Sequence, residues 1–152
     1  MIIELNETEQ KLAQYLAKAR HRVSRNKWVV NHRIGPQSDE FTDLEGIGGE
    51  IAFCKAMNIY PDMDIGGYAA FDCKLPDGTR VDVKTTKYEN GKLISAPWKE
   101  PRKIDVFALM VGEMPKYRFV GMMKASELLQ EHRKKNLGHN MVYVAEQDEL
   151  YR

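Results

Sequence analysis

The residues of this chain best equipped for chemistry are Asp82 and Lys84, in the run Asp82-Val83-Lys84, with Asp72 before them and Glu50 on a glycine-rich stretch further upstream. A β-strand projects residues i and i+2 to one side, so Asp82 and Lys84 share a face while Val81 and Val83 point into the core. A carboxylate and an amine are thereby held side by side. Carboxylates gathered around a cation, with an amine beside them, are equipment for hydrolysing a phosphodiester.

The elements that must position these groups lie around them in the chain. Ala69 to Leu75 reads as extended, and Pro76-Asp77-Gly78-Thr79 carries turn chemistry, proline presetting one φ and glycine tolerating the reversed one. A hairpin follows. Nine residues separate Asp72 from Asp82, a spacing that places both carboxylates on neighbouring strands, where two oxygens can grip one ion. Mg²⁺ or Mn²⁺ suits them, because hard cations take carboxylate, carbonyl and water oxygens. A zinc cage is disfavoured: Cys54 and Cys73 form no C-x-x-C pair, and His21, His32, His132 and His139 lack H-x-x-x-H spacing.

This constellation resembles the PD-(D/E)XK nuclease superfamily, in particular its compact bacteriophage-type members, and the resemblance covers most of the chain. Asp72 matches the first acidic motif, Asp82 and Lys84 match (D/E)-x-K, and Glu50 matches the acidic residue of the preceding helix. The resemblance implies a restriction-endonuclease-like core and a Mg²⁺-dependent deoxyribonuclease. In such an enzyme Asp72, Asp82, Glu50 and the main-chain carbonyl of Val83 hold the metal, and Lys84 positions and activates the attacking water. The chain departs from the pattern at Phe71, which replaces the naming proline, and at Asp82, where glutamate is commoner. It also lacks a clear glutamine or tyrosine motif on a following helix. D-x-K by itself occurs on many solvated strand faces; Asp72 at hairpin spacing and Glu50 upstream are what add weight. Two rival readings keep the fold: a catalytically silent nucleic-acid-binding protein, and a phage protein that acts by binding a host protein.

The composition, 152 residues with 43% hydrophobic and 30% charged, fits a single compact domain over residues 1–152. Two cysteines and no long apolar run argue against a disulfide scaffold and a membrane span. Met1-Ile2-Ile3-Glu4 does not read as a signal peptide, so the expected compartment is the cytoplasm, the host's if the chain is phage-encoded. DNA is the expected partner; a homodimer is admissible, and the oligomeric state stays open.

A net charge of +1 does not announce nucleic acid, but its distribution is uneven. Between Gln10 and Ser38 there is no acid, while Lys11, Lys18, Arg20, Arg22, Arg25, Lys27 and Arg33 accumulate with His21 and His32; Asp39, Glu40, Asp43, Glu45 and Glu50 follow. This basic helical segment, 7–34, reads either as a solvated face or as a phosphate-contacting one. On the second reading Arg20, Arg22, Arg25 and Lys27 meet the backbone, joined by Lys87 beside the D-x-K strand. Trp28 reads as core or hinge.

Asn6 with Glu9 signals a helix start, and Leu12, Tyr15, Leu16, Ala19 and Val23 recur at helical spacing, predicting a helix from about residue 7 to the mid-twenties. Thr42-Asp43-Leu44-Glu45 is a capping-box pattern opening a second helix, with Ile47, Ile51 and Cys54 on one face and Pro61 beyond its end. Gly46, Gly48 and Gly49 weaken that helix, so their clustering predicts a close backbone approach next to Glu50.

Ile104 to Val111 is nearly continuous apolar sequence, expected of a central strand covered on both faces. Met114-Pro115-Lys116 turns into a strand from Tyr117 to Met123, Ala125 to Glu131 reads as helix, and Met141 to Val144 as a last strand. Glu89-Asn90-Gly91 predicts a hairpin returning Lys92 to Ser95 beside Lys84–Tyr88. Lys99 with Arg102 and Lys103, and Arg133 with Lys134 and Lys135, read as loop charges or as the lining of a substrate groove. Gly35 to Asp39 and Ala96 to Lys103 read as loops. The element order predicts α/β with a mixed central sheet flanked by helices.

Overall fold

A computed structural model describes residues 1–26, 39–66, 70–138 and 140–152, those of 24–26 and 39–43 by their backbone alone. The elements run β1 (Ile2–Glu4), α1 (Glu7–Asn26), α2 (Asp39–Met57), β2 (Cys73–Lys74), β3 (Arg80–Thr86), β4 (Leu93–Ser95), β5 (Val106–Glu113), β6 (Lys116–Lys124), α3 (Ala125–Leu128), β7 (Lys134–Asn136) and β8 (Met141–Ala145). The fold is α/β. Its main sheet is mixed, in the order β1-β6-β5-β3-β2, with β3 and β5 parallel and the other neighbours antiparallel.

α1 begins where the Asn6 signal predicts, because two reciprocal bonds close its first turn. Glu9 N–H donates to Asn6 Oδ1 at 2.8 Å and Asn6 N–H donates to Glu9 Oε2 at 2.7 Å. Its buried stripe runs through Ala13, Leu16, Ala17 and Ala19, whereas Tyr15, expected in that stripe, is exposed. α2 starts earlier than the capping-box pattern implies, at Asp39. Glu45 is therefore no cap: it is buried, 3.4 Å from both the Met114 N–H and the Tyr117 hydroxyl. α2 ends in the paired bonds of a left-handed C-terminal cap, Ile59 N–H to the Cys54 carbonyl and Asn58 N–H to that of Lys55, with Asn58 at φ 55°.

The predicted central strand is central: Val106 to Val111 of β5 is buried throughout. Its alternate residues feed two cores. Val106, Ala108 and Met110 join Val81 and Val83 of β3 beneath Ile47, Ile51 and Phe53 of α2. Phe107, Leu109 and Val111 pack on the opposite face with Leu93, Leu128 and Ala145. Arg80 locks the start of β3 to β5, its guanidinium donating to both Asp105 oxygens at 2.9 and 3.0 Å while its N–H donates to Oδ2 at 2.8 Å.

Two sequence expectations are corrected by the sheet and helix ends, and two short strands are added. The Asn90-Gly91 turn forms, Gly91 N–H donating to the Tyr88 carbonyl at 2.9 Å, but β4 does not return beside β3. It pairs with β8 in a second sheet, β4-β8-β7, because Leu93 is buried in the second core and Gln147 Nε2 pins the Glu89 and Gly91 carbonyls to the chain after β8. α3 stops at Leu128 instead of running to Glu131, a 3-10 turn at Glu131–Arg133 following it. β1 and β7, three residues each, are strands that the pattern did not announce. Trp28, His32, Arg33, His139 and most of the expected loop from Gly35 lie outside the described residues. Among those described, no helix is long and apolar enough to cross a membrane.

Candidate active site

The approach of α2 to the sheet sets the site, and two of the three glycines permit it. A Cβ at Gly49 would collide with Thr85 Oγ1 of β3, and one at Gly48 with the Tyr117 hydroxyl of β6, whereas Gly46 meets nothing. The helix thus lies against β3 where Glu50 leaves it. Arg20 of α1 holds Glu50 from the other side: Nη1 is 3.2 Å from Oε2, and its remaining donors reach the Asp62 carbonyl at 2.8 Å and the Asp64 carbonyl at 3.1 Å. The basic residue expected on a phosphate face is turned into the site.

Asp72 arrives from the hairpin the turn chemistry predicts, with Cys73 opposite Val81 and Lys74 opposite Arg80. β2 is only two residues long, so beside Val83 it supplies no carbonyl to β3. The Asp72 side chain takes that part, Oδ2 accepting the Val83 N–H at 2.7 Å. Asp82, in the middle of β3, is 1% exposed. Lys84 Nζ stands 2.7 Å from its Oδ1, and Lys99 Nζ, from the loop between β4 and β5, stands 2.9 Å from its Oδ2. Both contacts are ion pairs without directional hydrogen-bond geometry, and neither Asp82 oxygen has a hydrogen-bond partner among the described residues.

Electrostatics divides the three carboxylates. Burial pushes Glu50 well above the usual range, and neighbouring Asp72 adds to this against the pull of Arg20. Burial, then the Asp82 charge, carries Asp72 up to about 6. Burial also acts against ionised Asp82, but Lys84 and Lys99 outweigh it and hold that carboxyl below its ordinary value. Lys84 is desolvated too, yet Asp82, Asp72 and Glu50 together keep its ammonium more firmly protonated than a free lysine. Divergent carboxylates and a locked cation occur together in functional sites, and buried structural ion-pair networks produce them too.

That arrangement costs stability. Asp72→Asn is expected to stabilise the protein near pH 8 by about 1–2 kcal/mol, less than the roughly 3 kcal/mol that the displacement from 3.8 to about 6 represents, because the half-buried side chain is screened by solvent. Asparagine still offers an oxygen to the Val83 N–H. The folded-state pKa lies above the unfolded one, so the wild-type penalty is complete above about pH 6 and fades as the pH falls toward 3.8; the gain should fade with it. Denaturant titration at both ends of that window measures this, and equal stability of the two proteins near pH 8 would show that the carboxylate carries no penalty.

Of the expected phosphate-contacting groups, Arg22 is exposed on α1, and Lys87 lies over the Tyr88 ring at 5.5 Å. The Arg25 side chain and Lys27 lie outside the described residues. Lys99 entered the sequence reading as a loop charge or as part of a groove lining, and not as a partner of Asp82; its sole local mark is a short stretch bounded by Pro97 and Pro101. Among the described residues no three His, Cys, Asp or Glu side chains converge as a ready-made metal cage. The donor set is nonetheless oxygen-only and hard, and a divalent cation would offset both the burial that chiefly raises Glu50 and Asp72 and the repulsion that adds to it.

A family profile described as a family of unknown function, DUF5843, matches residues 3–117. The chain belongs to that family. The matched span runs from β1 into β6 and contains Arg20, Glu50, Asp72, Asp82, Lys84 and Lys99. No curated protein and no solved structure matches the chain.

Proposed function

We propose that this protein is a metal-dependent nuclease of the PD-(D/E)XK type, its mixed sheet and two helices forming a restriction-endonuclease-like core. The observation that supports the reading is the set of Glu50, Asp72, Asp82 and Lys84, drawn from α2, the entry to β2, and β3, in which burial raises two carboxylates while the lysines hold the third ionised. Asp72 and Asp82, with Glu50 and the Val83 carbonyl, would hold Mg²⁺ or Mn²⁺. Such an ion, when bound, polarises a phosphate and lowers the pKa of water.

The chain's own residues do the rest. Lys84 keeps its proton, so it acts as a fixed positive charge that orients water and offsets charge growing on the phosphate, and not as a base. Arg20 braces Glu50 and the 62–64 segment, holding the helix carboxylate toward the strands. Arg22, Arg25, Lys27 and Lys87 would contact backbone phosphates of DNA.

A panel of duplex, single-stranded, flap and junction DNA, with RNA alongside, tests the reading in Mg²⁺ and Mn²⁺. Cleavage of at least one substrate, abolished by EDTA, is the expected result. A folded protein that cuts nothing at any metal concentration sinks it. One observation favours a silent nucleic-acid binder instead: Arg20, Lys84 and Lys99 already supply cations to Glu50 and Asp82. That protein would hold DNA equally well with and without metal.

A further inference from the structure

Asp82 carries one cation more than the nuclease reading uses, and the two reach it differently. Lys84 leaves β3 two residues along and is held by the strand and by Asp72 and Glu50 as well as Asp82. Lys99 comes from the loop joining β4 to β5; its side chain is 25% exposed against 30% for Lys84, so the two differ in the element that carries them and not in exposure. Of the other charges of that loop, Glu100 pairs with Arg102 and, at 3.8 Å, with Lys103, while Asp105 pairs with Arg80 of β3. Lys99 bypasses adjacent Glu100 and spans to a buried carboxylate. Its neighbour Trp98 is 54% exposed, so the segment carrying Lys99 borders open solvent.

With an ammonium against each oxygen, Asp82 offers a hard divalent ion only positions beside a like charge, although lone pairs remain on both oxygens. Withdrawal of one lysine relieves that repulsion, and a lysine on a loop, with a flexible four-carbon stem, moves more readily than one rooted in the middle of a sheet. We propose that Lys99 is the exchangeable counter-ion of Asp82. It neutralises the carboxylate while no divalent cation is present, gives way when one binds, and then presents its ammonium to a phosphate oxygen of the substrate. The inference rests on the proposed nuclease activity and adds to it a residue that competes with the metal before it serves the substrate. Binding of metal and readiness for phosphate are thereby coupled through one side chain.

The sign of the effect on metal binding separates this from a structural role. Calorimetric titration of the full chain with Mn²⁺ alone should give Lys99→Ala and Lys99→Gln an affinity about tenfold or more above wild type, since a neighbouring like charge is removed from the ion's ligand. Lys99→Arg, keeping the cation, should stay near wild type. At saturating Mn²⁺ the neutral variants should cut the DNA substrate identified by the panel more slowly, and Lys99→Arg should recover part of the rate. Unchanged or weaker Mn²⁺ binding in both neutral variants, in a protein that itself binds and cuts, overturns the exchange and leaves the nuclease reading standing. Tighter Mn²⁺ binding with undiminished cleavage overturns the handover to phosphate. A wild-type protein that neither takes up Mn²⁺ nor cuts removes the nuclease reading and this inference together.

Discussion

Asp82→Asn should abolish both Mn²⁺ binding and nucleic-acid cleavage, whereas Lys84→Ala should keep the metal and lose turnover by ~10²-fold or more. The difference follows from what each group does. Asp82 is the one carboxyl of the cluster held below its ordinary value, so it is the most firmly ionised of the three at neutral pH, where Asp72, at about 6, is mostly ionised as well. Asparagine keeps the shape and removes the charge. Lys84 coordinates nothing; its loss leaves Asp82 ionised beside Lys99 but withdraws the positive charge nearest Oδ1. Asp82→Asn also leaves two ammonium groups without their partner, and it should unfold at lower denaturant than wild type; their residual exposure, 30% and 25%, lets them turn to water and spares the fold. Circular dichroism, Mn²⁺ titration and single-turnover cleavage measure the three consequences. Wild-type turnover in Lys84→Ala would take that residue out of the mechanism, and undiminished metal binding in Asp82→Asn would take Asp82 out of the ligand set.

The second large effect is on stability. Gly49→Ala places a methyl group against Thr85 Oγ1, with the Thr85 Cβ and Cγ2 at 2.9 and 3.0 Å, and neither a helix nor a central strand moves cheaply. A loss of about 1–3 kcal/mol is expected by urea unfolding, together with slower cleavage, because Glu50 is the next residue and shifts with the helix. Thr85→Ala removes the two atoms beyond Cβ, so the double variant should lose less than the sum of the single ones, the excess being the coupling between the two positions. Strict additivity would mean that the helix and strand do not meet there as described.

The local features of this protein were legible because the forces that make them act within a few residues. Asn6 and Glu9 cap α1 through their own backbone groups. Leu75 to Thr79 closes the hairpin by turn chemistry that needs no other part of the chain. Val81 and Val83 alternate with Asp82 and Lys84, and that period alone assigns the two sides of β3. The glycines beside Glu50 signalled close approach because a helix tolerates them only at a cost. What touches them, Thr85 and Tyr117, was not written nearby.

Partner choice was decided by the tertiary structure. The turn at Asn90-Gly91 is local, but β4 chose β8 over β3 because burial of Leu93 in the second core and the Gln147 bonds outweigh the nearness of β3 in sequence. Glu45 matched a capping pattern and was instead drawn to Met114 and Tyr117, groups that no window around residue 45 contains. Arg20 sat in an acid-free run, and only folding brought Glu50 and the 62–64 carbonyls within its reach. Lys99 had no periodicity to mark it. Residue types and spacing by themselves determined which groups are able to act, since chemistry belongs to side chains and alternation belongs to the backbone. Which charges neutralise which is a property of distance and burial in three dimensions, and there the fold set two lysines, one of them unforeseen, against a single buried aspartate.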